Sequence, residues 1–239
     1  MLFHYYIKVY SSGILLMVIG MERVLDERDR RELKKLFENE MKEAVITLQI
    51  RHSNCEYCDF LDALMRELSE ISGSKIKYNS VEMTDFHAKL LGVDRGPVLL
   101  IGDKGEVRYT GAPLGEEGWA FIRTLVIASN KKHGLDKYED NLRSLDRVVR
   151  IETVVTPQCP YCPYAVLLAN RIAIASGGRV ISDTVDAYEF PEIANKFMIT
   201  AVPTIILSVE KPYSGQIFSV GLPHEKFIIK RILELGNSD

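Results

Sequence analysis

The sequence predicts an α/β protein built from two tandem copies of one unit, each a central mixed sheet flanked by helices. Three observations lead there. The 239 residues suit two domains of about 100 residues each. The hydrophobic patterning runs twice through the same order of elements. All four cysteines fall in two Cys-x-x-Cys pairs, Cys55/Cys58 and Cys159/Cys162, placed alike in the two passes.

Residues 1–20, MLFHYYIKVYSSGILLMVIG, stand apart as an N-terminal extension. Their longest apolar run, Ile14 to Ile19, is far short of the ~20 residues a spanning helix needs. No small-residue cleavage site follows, so neither an anchor nor a leader peptide is expected. A hairpin, YYIKVY then SSG then ILLMVI, is one reading of the segment. A chain starting at Met21 is the other.

The first unit covers residues 21–130. Leu25, Leu33, Leu36, Phe37 and Met41 recur at helical spacing, and the apolar run Ala44 to Ile50 predicts a buried strand. That strand leads into NCEYCDF and a helix from Cys58 to Ile71, with Phe60, Leu61, Leu64, Met65 and Leu68 on one face. A strand from Ile76 to Met83 and a short helix near Phe86 to Leu91 come next. Gly96-Pro97 then opens the strand VLLIG, and the turn Asp103-Lys104-Gly105 joins it to Glu106–Tyr109. Gly111 ends this hairpin, and a last helix runs from about Glu116 to Ala128.

The polar segment 129–140, SNKKHGLDKYED, is the predicted junction, and the second unit, 131–239, repeats the order. A helix near Tyr138 to Leu145 precedes a strand Val148 to Val155, which ends in TPQCPYCPYA. Helix Tyr164 to Ala175, strand Val180 to Val185 and helix Pro191 to Phe197 follow. Val202-Pro203 opens TIIL, and Gly221 closes the next strand. The two passes are in register: 104 residues separate Cys55 from Cys159 and Cys58 from Cys162, and 106 separate Pro97 from Pro203.

Composition narrows the chemistry. Hydrophobic residues at 46% and charged residues at 26% describe an ordinary globular chain. A net charge of −3 offers nucleic acid no electrostatic footprint. Four cysteines in two CxxC pairs are too few for a disulfide-stapled secreted scaffold, which leaves redox or metal chemistry.

CPYC after a strand and before a helix, with Val-Pro opening the next central strand, resembles a glutaredoxin or thioredoxin. The doubling narrows the resemblance to the protein disulfide oxidoreductases of thermophilic archaea and bacteria, in which two tandem thioredoxin-like folds each hold a CxxC. It covers about residues 21–235. The resemblance implies an enzyme that reduces, forms or isomerises disulfides in client proteins. Its implied partners are disulfide-containing clients and a thioredoxin-reductase-like or other dithiol reductant. It further implies that Pro97 and Pro203 follow cis bonds beside the cysteine pairs. There they would hold the backbone of Gly96 or Val202 for pairing with an extended client. No resident cofactor, metal, nucleic acid partner or stable membrane insertion is expected, and the expected location is cytoplasmic.

Residue chemistry supports this reading. Only a thiolate attacks a disulfide, so the first cysteine must fall below the free thiol pKa of about 8.5. A strand-to-helix junction favours that, because unpaired N–H groups and the positive end of the helix dipole face Cys55 or Cys159. Cys58 or Cys162, one turn on, can then resolve a mixed disulfide intramolecularly. The two sites are expected to be unequal. Glu56 and Asp59 oppose a thiolate at Cys55, whereas Pro160, Tyr161 and Pro163 around Cys159 and Cys162 are uncharged.

Other residues draw plainer readings. Trp119 is expected to pack, His52 to be a solvated loop residue, and His4, His87, His133 and His224 show no metal-ligand spacing. Thioredoxins carry a buried Asp six residues before the first cysteine. Here Gln49 and Thr153 stand in that place and Glu152 faces the other side of its strand, so no such base is carried over. Three rival functions are a four-thiolate zinc or iron–sulfur module, a non-catalytic chaperone or docking scaffold, and a dedicated electron donor to a peroxidase.

Overall fold

The computed structural model describes residues 23–237, except 54, 85, 87–89 and 210. Both readings of the N-terminal extension, and much of the predicted helix near Phe86 to Leu91, lie outside these described residues. The first pass consists of α1 (Glu27–Glu40), β1 (Val45–Arg51), α2 (Cys58–Ile71), β2 (Ile76–Glu82), β3 (Val98–Ile101), β4 (Val107–Thr110) and α3 (Glu117–Asn130). The second consists of α4 (Asp136–Arg143), β5 (Val149–Val155), α5 (Cys162–Ala175), β6 (Val180–Asp186), α6 (Pro191–Lys196), β7 (Thr204–Val209), β8 (Gln216–Val220) and α7 (Glu225–Gly236).

Most predicted elements fall within a few residues of their expected bounds. The exceptions have local causes. Helix α5 starts at Cys162 and not at Tyr164, because Pro163 occupies its first turn, where a missing N–H has no helical partner to lose. Helix α4 starts at Asp136, directly after the buried Leu135.

The eight strands form one sheet in the order β2-β1-β3-β4-β6-β5-β7-β8. The join between the units is the parallel pairing of β4 with β6, which sets Val107 against Ser182 and Tyr109 against Thr184. Ser182 N–H also donates to the Glu106 carbonyl at 2.9 Å. All four residues of β4 are buried, as expected of an interior strand of a wide sheet.

Strand direction places the two cysteine pairs. β1 is antiparallel to β3, β3 to β4, and β4 is parallel to β6, which is parallel to β5. Hence β1 and β5 run the same way, and the segments carrying Cys55 and Cys159 leave the same end of the sheet. Four strand spacings lie between them, about 19 Å at the usual ~4.8 Å per step.

One face of the sheet carries α1, α2, α3 and α5. Leu33, Phe37, Leu64, Leu68, Phe121 and Leu125 form a core there that also takes in Val155, Cys159, Cys162 and Val166 of the second unit. α4 and α7 extend that layer over Val149, Ile151, Ile205 and Leu207. The opposite face is thinner. Val154, Val185 and Ile206 pack there under Phe190, Ile193 and Tyr213, and Ile50, Val98 and Leu100 pack with Val93. A polar link crosses between the units on this face: the Thr110 hydroxyl donates to the buried Asp183 at 2.8 Å, and within the second unit the Tyr213 hydroxyl donates to the same carboxylate at 2.6 Å. Glu152 accepts from Ser208 and the Tyr213 N–H there, the side its strand parity predicts.

Candidate active site

Cys159 and Cys162 are joined as a disulfide, and so are Cys55 and Cys58. The second cysteine of each pair is the first residue of its helix, α2 or α5, so the first cysteine sits just ahead of the unpaired N–H groups of a helix start. At the second pair one of those groups is in place: Cys162 N–H donates to Cys159 Sγ at 3.1 Å. No counterpart to Cys55 Sγ occurs among the described residues. Cys162 and Cys58 are fully buried, Cys159 is nearly so, and Cys55 is partly open. Tyr161 between the second pair is largely exposed.

The two X-Pro bonds, Gly96-Pro97 and Val202-Pro203, are cis, as the resemblance implies. Each proline carbonyl accepts from the glycine that closes the following hairpin: Gly111 N–H to Pro97 at 2.9 Å and Gly221 N–H to Pro203 at 2.7 Å. Gly96 lies against the end of β1. A Cβ there would stand 3.0 Å from the Ile50 carbonyl oxygen and 3.4 Å from His52 N, on the segment leading to Cys55. Val202 packs against the core that contains Cys159 and Cys162.

The positions six residues before the first cysteines are both buried, with different roles. Gln49 Nε2 donates to the Cys58 carbonyl at 2.9 Å and so ties the head of α2 to β1. Among the described residues Thr153 Oγ1 has no partner, and neither does Thr184 Oγ1 beside it on β6. A buried carboxyl that sequence reasoning missed comes from the first unit. Glu117, in the first turn of α3, is 2% exposed, and among the described residues neither of its oxygens has a hydrogen-bond partner. Burial, with the nearby charges of Asp186 and Glu116, raises its pKa to about 8. Glu116 N–H donates to the Pro157 carbonyl at 2.9 Å, which brings the head of α3 against the segment just before Cys159. Gly115 permits that approach: it has φ +59, and a Cβ would stand 2.3 Å from the Pro157 oxygen.

The remaining candidates follow the plain readings. Trp119 makes an edge contact with Tyr164, ring centroids 5.4 Å apart. His52 is exposed, and His224 caps α7 by accepting from Lys226 N–H. His4 and His87 lie outside the described residues. His133, Asp136 and Glu139 do gather potential ligand atoms. However, His133 Nδ1 accepts from Leu135 N–H, so its proton sits on Nε2 facing Glu139 at 3.4 Å. A metal-bound imidazole needs the opposite arrangement. Nor do the two cysteine pairs form one tetrathiolate site, since ligands about 2.3 Å from a shared metal cannot lie four strands apart. Among the described residues no helix is long and apolar enough to cross a membrane.

Comparison with known proteins agrees with this geometry. The thioredoxin domain family model matches residues 149–234. A protein disulfide oxidoreductase from Aeropyrum pernix K1 is similar at 34% identity, over 91% of this chain and 97% of that one, with a TM-score of 0.78. The alkylhydroperoxide reductase component AhpF from Enterococcus faecalis shares the fold at 22% identity, over 87% and 99% of the two chains, with a TM-score of 0.75. Sso1120 from Sulfolobus solfataricus does so at 22% identity, over 77% and 98%, with a TM-score of 0.55. No curated protein matches the sequence. With two CxxC pairs closed as disulfides at helix starts, the chain is a thioredoxin-like redox enzyme and belongs to the protein disulfide oxidoreductases.

Proposed function

We propose that the chain exchanges disulfides with client proteins through both CxxC pairs, in two units of residues 21–130 and 131–239, with the second pair carrying most turnover. The observation that carries this reading is the N–H of Cys162 on the Cys159 sulfur at the start of α5. That contact stabilises a thiolate once the pair is reduced.

In the reducing direction, Cys159 thiolate attacks one sulfur of a client disulfide. A mixed disulfide forms and a client thiolate leaves. Cys162 then loses its proton and attacks Cys159 Sγ. The second client thiolate departs, the client holds two thiols after protonation, and the enzyme holds the Cys159–Cys162 disulfide. Two electrons have passed to the client. An external dithiol, such as a thioredoxin-reductase-like protein, restores the reduced pair by the same exchange. Run backwards, the steps form a client disulfide. Glu117 serves this cycle as the group that takes the Cys162 proton, directly or through one water, and returns it. Val202-Pro203 and Gly96-Pro97 offer backbone for an extended client to pair with. Cys55/Cys58 act as the second exchange site, and the setting is cytoplasmic.

Trapping tests the assignment. Cys162→Ser should retain clients as covalent complexes that disappear in reducing gels, whereas the Cys159→Ser/Cys162→Ser variant should retain none at this site. Equal trapping by Cys159→Ser and Cys162→Ser would reverse the two roles.

A further inference from the structure

The hairpin turn beside the first redox pair is buttressed from the other unit. Gly111, whose N–H holds the Pro97 carbonyl, has φ +101, and a Cβ on it would stand 2.9 Å from both Asp186 Cβ and Glu189 Oε1. The next N–H, that of Ala112, donates to Glu189 Oε1 at 2.6 Å. Asp186 Oδ1 in turn accepts from Tyr188 N–H at 2.7 Å and so shapes the loop after β6 that presents Glu189. Among the described residues the matching turn of the second unit has no such support. Gly221 holds the Pro203 carbonyl in the same way, yet a Cβ on it would meet nothing within 4 Å.

We propose that Glu189 of the second unit is a positioning residue of the first redox centre, fixing the Gly111–Pro97 turn and placing a negative charge against the Cys55–Cys58 loop. The inference rests on the proposed exchange activity of that pair.

The charge is in range of the loop. Tyr57, between the two cysteines, feels Glu56 first and then Glu189 and Asp186. Glu189 itself is raised to about 7 by burial, by Asp186 and by Glu56. The other charges around the site include Glu116 and Glu117 at the head of α3, where Asp186 and Glu116 act on Glu117, and Asp94 and Arg95 just before Gly96-Pro97, where Arg95 pairs with Asp94 at 2.8 Å and with Glu192 at 2.9 Å. On the far side, Arg51 pairs with Asp59 and Glu82. A carboxylate beside a thiol disfavours the thiolate, so Glu189 should hold the Cys55 pKa up once it ionises above about pH 7.

Two functions of one side chain can be separated by substitution. Glu189→Gln keeps an oxygen for Ala112 N–H and removes the charge; Glu189→Ala removes both. The measurement is the rate of iodoacetamide alkylation of Cys55 against pH, in reduced full-length protein carrying Cys159→Ser and Cys162→Ser. Client turnover by the same proteins is the second readout. Glu189→Gln should lower the Cys55 thiolate midpoint by about half a pH unit and preserve turnover. Glu189→Ala should give the same shift and lower turnover several-fold. An unchanged midpoint in both variants, with the pair still accepting electrons from dithiothreitol, would overturn the inference and leave the proposed function standing. A first pair that dithiothreitol does not reduce would instead overturn the role given to Cys55/Cys58, and this inference with it.

Discussion

Replacing Glu117 by Gln removes a buried carboxyl, proposed here to take the Cys162 proton, that has no hydrogen-bond partner for either oxygen among the described residues. Burial raises it from 4.5 to about 8, so the folded chain holds this proton more tightly than the unfolded chain does. The sign follows by linkage: the folded state loses stability as pH rises from about 4.5 to about 8, and the loss is complete above that range. A difference of roughly 3.5 pH units at ~1.4 kcal/mol each gives about 5 kcal/mol as an upper bound. Water entry and side-chain movement reduce this to a few kcal/mol. Glu117→Gln cannot ionise. Between pH 5 and pH 9 the parent should therefore lose about 3 kcal/mol more stability than the variant. Guanidinium unfolding of the oxidised proteins at the two pH values reads this directly, and contributions from Glu152 and Glu189 cancel in the comparison. In a protein lacking Cys55 and Cys58, turnover should fall by on the order of 10², the usual worth of a positioned proton-transfer group. Equal pH dependence of stability in parent and variant, with unchanged turnover, would refute both the burial argument and the assigned role.

Two further outcomes are expected. Gly115→Ala puts a Cβ against the Pro157 carbonyl at a left-handed backbone position, and should cost about 1–3 kcal/mol and slow exchange at the second pair; unfolding and turnover in a protein lacking Cys55 and Cys58 will show it. Cys159 should have the lower thiolate pKa of the two leading cysteines, because it has the Cys162 N–H and Cys55 has Glu56 and Glu189 nearby. Alkylation against pH in single-pair proteins measures both values, and a lower value at Cys55 would remove the asymmetry.

What the sequence made legible was the repeat and the parts that act locally. Cysteine spacing, the strand before each pair, the helix after it and the proline opening the next strand are all short-range features. The continuous sheet was not legible, because pairing of β4 with β6 is a contact between units. In retrospect VRYT on β4 is short and buried at every position, and a strand covered on both faces is hard to tell from any other apolar run. Glu117 was hidden for a similar reason. Read in sequence, Gly-Glu-Glu-Gly-Trp is an acidic first turn that belongs in solvent, and only the packing of α3 against α5 and the Pro157 segment buries it. Glu189 carries no local pattern at all: its partner, Ala112, lies 77 residues away.

We expect paired thiols, and not a bound metal or a passive docking surface, to do the work of this protein. Dithiothreitol-driven reduction of insulin by four proteins puts that to the test: the parent, a Cys55→Ser/Cys58→Ser variant, a Cys159→Ser/Cys162→Ser variant and the variant lacking all four cysteines. We expect the protein keeping Cys159/Cys162 to retain most of the parent rate, the one keeping Cys55/Cys58 to retain a minor part, and the cysteine-free protein to match the rate of dithiothreitol alone. Undiminished reduction by the cysteine-free protein, or a parent no faster than dithiothreitol, would contradict thiol exchange as the activity.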